Sequence, residues 1–138
     1  MWGRYARDYD PRVPRFPFVH RETVRFRDLD ALGHVNNAVY LTYLEQARVA
    51  FLLPEGADYS HMILARCEID FRSQLSLGET VDIAVTPTRV GTKSFELAYE
   101  MKTGDRVVAE ARTVLVAYDY ERGESRPLPD AWRKLLEQ

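Results

Sequence analysis

Residues 37–53, NAVYLTYLEQARVAFLL, carry so few polar side chains that a helix formed by them must be enclosed by the rest of the chain. Tyr40, Leu44, Ala47 and Phe51 recur at helical spacing as one stripe, which Leu41, Tyr43 and Leu52 widen almost all the way round. Asn36 or Asn37 can cap the start, and Pro54 and Gly56 mark the end. With 138 residues in all, the cover has to come from a single domain of ordinary size.

Period-two patterns supply that cover. Ile63, Ala65, Cys67, Ile69 and Phe71 point one way, with Arg66, Glu68, Asp70 and Arg72 opposite. Val81, Ile83 and Val85 follow, then Phe95, Leu97, Tyr99 and Met101, then Val107, Ala109, Ala111, Leu115 and Ala117. Turns at 77–79, at Gly91 and at 103–105 separate these runs, which predicts four strands paired as an antiparallel meander. A shorter strand from His20 precedes the helix, with Glu22, Val24 and Phe26 on its apolar face. The expected fold is α+β: a curved, antiparallel five-stranded sheet wrapped around one long central helix, as a single domain over 20–138. Residues 1–19, interrupted by three prolines, read as an extended N-terminal arm. The tail RPLPDAWRKLLEQ predicts a short helix capped by Asp130 and anchored by Trp132, Leu135 and Leu136. Two open sheet edges and a polar face favour dimerisation.

Composition narrows the function. Nineteen basic and twenty-one acidic residues leave a net charge of −2, so nothing pulls the whole chain toward nucleic acid or anionic lipid. No apolar run is long enough for a membrane helix or a signal peptide, and a single Cys cannot form an internal disulfide. Both observations lead to the expectation of a cytoplasmic location.

The densest polar cluster is Asp28, Asp30, His34, Asn36 and Asn37, with Glu45 two turns into the helix. It lacks a second His or a Cys at metal-ligand spacing, and the chain has neither a G-x-S-x-G elbow nor a glycine-rich phosphate loop. What it does have is a carboxylate just before a helix N-terminus. The first amides of a helix are unpaired donors, and its dipole favours negative charge. They can hold a carbonyl oxygen as it becomes an oxyanion, while Asp30 attacks the carbonyl or activates water. That is a minimal kit for acyl transfer to water. An Asp-rich capping turn whose carboxylates satisfy loop amides fits the local pattern too.

The stretch RFRDLDALGHVNNAVYLTYLEQAR resembles the signature of the hotdog-fold acyl-CoA thioesterases, the 4-hydroxybenzoyl-CoA thioesterase-like family. The resemblance extends from His20 to Tyr120 and implies hydrolysis of an acyl-CoA thioester to a free acid and coenzyme A. In its terms Asp30 is the catalytic carboxylate, as nucleophile or general base, and the Asn37 backbone N–H faces the thioester oxygen. Gly33 keeps the turn tight, His34 shapes it or touches the acyl group, and Glu45 is a reserve acid whose alternative role is a buried structural partner of Arg48. Asp28 is a candidate for holding the loop through backbone amides. His34, Val35, Asn36 and Asn37 after the glycine match broad-range acyl-CoA thioesterases better than enzymes for 4-hydroxybenzoyl groups. The turn at Arg89, Gly91, Thr92, Lys93 and Ser94 is implied for the phosphates and pantetheine arm of coenzyme A, and the acyl end for an apolar tunnel beside Tyr40 and Leu44. The resemblance further implies a homodimer, or a dimer of dimers, with the site at the seam and Arg66 or Glu68 completing the neighbour's pocket. No metal or redox cofactor is implied. Hydrolysis of an acyl-carrier-protein thioester and non-catalytic thioester binding are the alternatives.

Overall fold

The computed structural model describes residues 16–52 and 61–137. The expected N-terminal arm therefore lies almost wholly outside the described residues. The sheet begins at Phe18 rather than His20: β1 spans Phe18–Thr23 and is followed by a 3-10 turn, Phe26–Asp28, and the helix α1, Asn37–Leu52. Strands β2 (Met62–Phe71), β3 (Thr80–Val90), β4 (Ser94–Thr103) and β5 (Arg106–Asp119) follow. A two-residue strand β6 (Glu124–Ser125) and the helix α2 (Asp130–Leu136) complete the order.

Among the described residues the sheet has six strands, in the order β1-β3-β4-β5-β2, with β6 folded back on β5, and every pairing there is antiparallel. It wraps α1 in the hotdog arrangement. Tyr43, Leu44 and Ala47 are fully buried against Ile83, Phe95, Leu97 and Leu115, so the apolar stripe of the helix meets the alternating apolar rows of the strands in one core. Leu44→Ala removes a fully enclosed side chain from this core and should cost about 2–5 kcal/mol of stability, measured by denaturant unfolding.

Three expectations about the strands need correction. The meander runs only through β3, β4 and β5; β2 pairs with β5 instead of β3 and forms an edge. The link between them is a crossing segment, not a tight turn. Leu75 within it is buried, and Leu75 O accepts the Val35 amide. The Arg106 guanidinium holds the rest, donating to Gln74 O at 2.6 Å and to Glu79 Oε2 at 2.6 Å. Secondly, β2 carries a bulge between Leu64 and Arg66. The extra residue shifts the phase, so Met62 and Leu64, opposite Ala117 and Leu115, share the inner face with Cys67, Ile69 and Phe71. Ile63 and Ala65 do not continue that row. Thirdly, Phe26 leaves the β1 face and is 80 % exposed. Asp28 turns the chain there, its Oδ2 accepting the Arg25 amide at 3.0 Å. At the other end, Trp132, Leu135 and Leu136 anchor α2 as expected, but Asp130 is its first residue and Pro129 occupies the cap.

Candidate active site

Asp30 sits on a small hairpin that delivers the chain to α1. An isolated bridge pairs Leu29 with Val35, and the Asp30 amide donates to His34 O at 2.8 Å. The three residues between need a left-handed position, which Gly33 supplies at φ 82°. A side chain there would meet nothing within 4 Å, so the hairpin is open on this side. The Asp30 carboxylate lies over the tip: Oδ1 accepts the Leu32 amide at 2.8 Å and the His34 amide at 3.4 Å. Asp30 is exposed, whereas His34 is half-buried, and its Nδ1 has no hydrogen-bond partner among the described residues.

The helix start settles which residue caps. Asn36 Oδ1 accepts the Ala38 amide at 3.0 Å, and Asn36 O accepts the Val39 amide at 2.9 Å. Asn36 is the cap and Asn37 the first helical residue, whose amide has no carbonyl behind it to bond. With the next two amides taken, the Asn37 N–H is the donor left at the positive end of the helix. The hairpin and this helix start are tied together, since the Asn36 amide donates to Asp28 O at 2.9 Å.

Asp28 underlies both. It is buried, and its Oδ2 accepts the Tyr43 hydroxyl at 2.6 Å as well as the Arg25 amide. Burial alone would push its carboxyl up. The Tyr43 hydroxyl, the Arg25 amide and the charges of Arg25 and Arg27 outweigh that and hold it below the usual carboxylate range. Burial and the same hydrogen bond push the Tyr43 phenol up. The expected loop-holding role of Asp28 is thus present, with a partner from inside the helix that no sequence pattern indicates.

Other expected residues lie elsewhere. Glu45 is exposed on α1 in the single chain, whereas Arg48 is buried, donating toward Tyr99 Oη at 3.5 Å. Tyr40 and Leu44, expected beside an acyl tunnel, are buried in the core, and the Tyr40 hydroxyl donates to Ser73 O at 3.3 Å. Arg66 and Glu68 bond to each other on the outer face of β2, opposite Val114 and Arg112, and point away from α1. At the end of β3, Arg89 is tied down by Glu96 Oε2 at 3.1 Å and Ser94 Oγ at 3.0 Å, directly over Gly91 in the turn that follows. Arg133 from α2 donates to Gly91 O and Thr92 O. Lys93 is exposed and makes no ion pair among the described residues. This turn is at the far end of β3 from the Asp30 hairpin, whose Val35 amide donates to Leu75 O in the segment that leads into the start of β3. Within one chain the two sets of residues are not brought together.

Among the described residues no three His, Cys, Asp or Glu side chains converge as a metal set. No helix among the described residues is long and apolar enough to cross a membrane.

A carboxylate on a hairpin tip beside a helix N-terminus, carried by a sheet that wraps the helix, defines a hotdog protein with the means for acyl transfer. The chain belongs to the thioesterase-like superfamily, whose family model matches residues 24–136. A thioesterase from Thermus thermophilus, solved with coenzyme A and Zn, is 36 % identical with a TM-score of 0.80; the match covers 88 % of this chain and 92 % of that one. A 1,4-dihydroxy-2-naphthoyl-CoA hydrolase from Nostoc punctiforme is 28 % identical over 128 residues, covering 87 % of this chain and 86 % of that protein. The fold is shared with a 1,4-dihydroxy-2-naphthoyl-CoA thioesterase from Synechocystis at a TM-score of 0.80 and 21 % identity, covering 88 % and 96 % of the two chains.

Proposed function

We propose that this chain hydrolyses an acyl-CoA thioester to a free acid and coenzyme A. The observation that carries the reading is the unclaimed Asn37 amide at the start of α1, tied by the Asp28–Asn36 bond to the hairpin that bears Asp30. The thioester carbonyl oxygen lies against the Asn37 N–H and the helix dipole, which stabilise it as charge builds. Asp30 either takes a proton from the water that attacks the carbonyl carbon, or attacks that carbon itself to form a mixed anhydride that water then hydrolyses to the free acid; on both routes the tetrahedral intermediate expels the thiolate of coenzyme A. The Leu32 and His34 amides hold the carboxylate in place during that step.

The site is completed by a second copy. On its outer side β2 has no partner strand among the described residues, and its inner face exposes Leu64 and Phe71. Pairing β2 with β2 of a second chain continues the sheet and covers that face. Phe71 packs edge-on against Tyr40 at 5.1 Å between ring centroids, so the end of β2 lies beside the catalytic loop. Lys93 lies at the other end, where Lys93 O accepts the Ala117 amide opposite Met62. At ~3.3 Å per residue the ten-residue strand separates them by about 30 Å within one chain. Antiparallel pairing brings the hairpin turn of one chain alongside the Asp30 loop of the other, three strand spacings or about 14 Å away. The pantetheine arm of coenzyme A can span such a gap, which gives Lys93 a phosphate to meet and accounts for two half-sites at opposite ends of one sheet.

The test is thiol release from a panel of benzoyl-, 4-hydroxybenzoyl-, 1,4-dihydroxy-2-naphthoyl-, hexanoyl- and palmitoyl-CoA, with the matching acyl-pantetheines alongside. Turnover of at least one CoA thioester is expected, with a higher kcat/KM than its pantetheine counterpart, from a species with the solution mass of a dimer or a multiple of it. Tight binding without thiol release contradicts hydrolysis, and an active monomer contradicts the shared site.

A further inference from the structure

Thioester hydrolysis at this site depends on the spacing between Asp30 and the Asn37 amide, which is set by the loop of nine residues, 28–36, that carries Asp30 and ends just before Asn37. Asp28 closes that loop at its base in two ways. Its backbone carbonyl accepts the Asn36 amide at 2.9 Å, and its carboxylate accepts the Tyr43 hydroxyl at 2.6 Å. Tyr43 is fully buried, two turns into α1, among core side chains that hold its ring still. Its hydroxyl is a short, charge-assisted donor, the strongest type available to a buried carboxylate without a direct cation. The nearby cation, Arg25, stands off at 3.6 Å and is half-exposed.

We propose that Tyr43 is a positioning residue for catalysis: through Asp28 it fixes the Asp30 hairpin relative to the helix N-terminus. The proposal rests on the reading of Asp30 and Asn37 given above. The chain of contacts is continuous. The Tyr43 hydroxyl holds the Asp28 carboxylate, and the Asp28 carbonyl holds Asn36, the cap of the helix whose next amide is the oxyanion donor. One residue along from Asp28, the Leu29–Val35 bridge carries Asp30. Without the hydroxyl, the Asp28 carboxylate keeps only the Arg25 contacts among the described residues, and these belong to the 3-10 turn and not to the helix. The loop then loses its side-chain tie to α1, and the two reacting groups lose their common reference. An offset of 1 Å between such groups costs on the order of 100-fold in rate, so a loosened tie that shifts them by less should cost about tenfold.

The experiment compares Tyr43→Phe with Tyr99→Phe, which removes another buried tyrosine hydroxyl, one paired with Thr113 Oγ1 at 2.7 Å between β4 and β5. With the CoA thioester of the panel that turns over fastest, Tyr43→Phe should lower kcat about tenfold and leave KM within roughly twofold, because ground-state binding is not what it sets. Tyr99→Phe should leave kcat unchanged at a comparable loss of melting temperature. Introduced into Asp30→Asn, Tyr43→Phe should cause no further loss, as expected of a residue that acts through Asp30. Wild-type kcat in folded Tyr43→Phe, with Asp30→Asn inactive, overturns the proposal and leaves the reading of Asp30 standing. A further tenfold fall on the Asp30→Asn background overturns it too, since Tyr43 would then act by another route. Wild-type turnover in Asp30→Asn itself removes the reading and the proposal together. Should Tyr43→Phe not fold, Asp28→Asn, which keeps the shape and loses the charge, carries the same test: a fall in kcat at constant KM supports the tie, and unchanged kcat overturns it.

Discussion

Asp30→Asn should lower kcat at least ~100-fold while the protein remains folded, the usual order for removing a positioned base. Two features make the variant informative. Asp30 is exposed at a hairpin tip, so neither core packing nor a buried charge is disturbed. The amide oxygen of Asn can still accept the Leu32 and His34 N–H groups that Asp30 Oδ1 now accepts, so the loop keeps its shape. What is lost is the negative charge, and with it the capacity to attack a carbonyl or to take a proton from water. A loss of 100-fold corresponds to about 2.7 kcal/mol of transition-state stabilisation. A capping turn whose carboxylate only satisfies loop amides predicts no such loss. Wild-type kcat in Asp30→Asn would move attention to Glu45→Gln, the other carboxylate of the signature segment.

Asn37→Pro should be nearly as severe. The first position of a helix tolerates proline well, because its N–H has no intrahelical partner and its φ is already helical. The preceding residue is pushed toward extended backbone, where a helix cap belongs. Asn36 can therefore go on accepting the Ala38 and Val39 amides, and α1 should start where it does now. The substitution deletes one N–H from the oxyanion position and little else. Loss of a single such donor typically costs on the order of 100- to 1,000-fold in kcat. Asn37→Ala is the matched comparison, since it trims an exposed side chain and keeps the N–H; its loss should be far smaller. Equal effects of the two substitutions on kcat would place the side chain, not the backbone, at the substrate.

How far the molecule could be read from its residues differs by element, for physical reasons. The core of α1 was legible because Tyr40, Leu44, Ala47 and Phe51 repeat at helical spacing with hardly a polar interruption. Strands β3, β4 and β5 were legible because their turns are short and their alternation holds over most of each strand, although a bulge in β5 buries Val108 where counting by twos places Val107. In β2 the alternation misleads: the bulge inserts a residue, and counting by twos then assigns Ile63 to the wrong face. Its position at the sheet edge was hidden too, because segment 72–79 looks like a turn until Leu75 and Arg106 are seen to anchor it as a crossing. Asp30, Gly33 and the helix cap were legible as a local cluster. The partnership of Asp28 with Tyr43 was not, since it joins residues fifteen positions apart and Tyr43 reads as one more member of an apolar stripe. The turn with Arg89 and Lys93 was legible as a hairpin, but only the strand order shows that it lies at the opposite end of the sheet from Asp30.

The most direct measurement is the steady-state release of coenzyme A from an acyl-CoA thioester by the wild-type chain and by Asp30→Asn, at equal concentrations of folded protein. Many turnovers per site by the wild type and a rate at least ~100-fold lower in the variant are expected. Release at the same rate by both proteins, or by neither across the whole panel of thioesters, would contradict hydrolysis at this site.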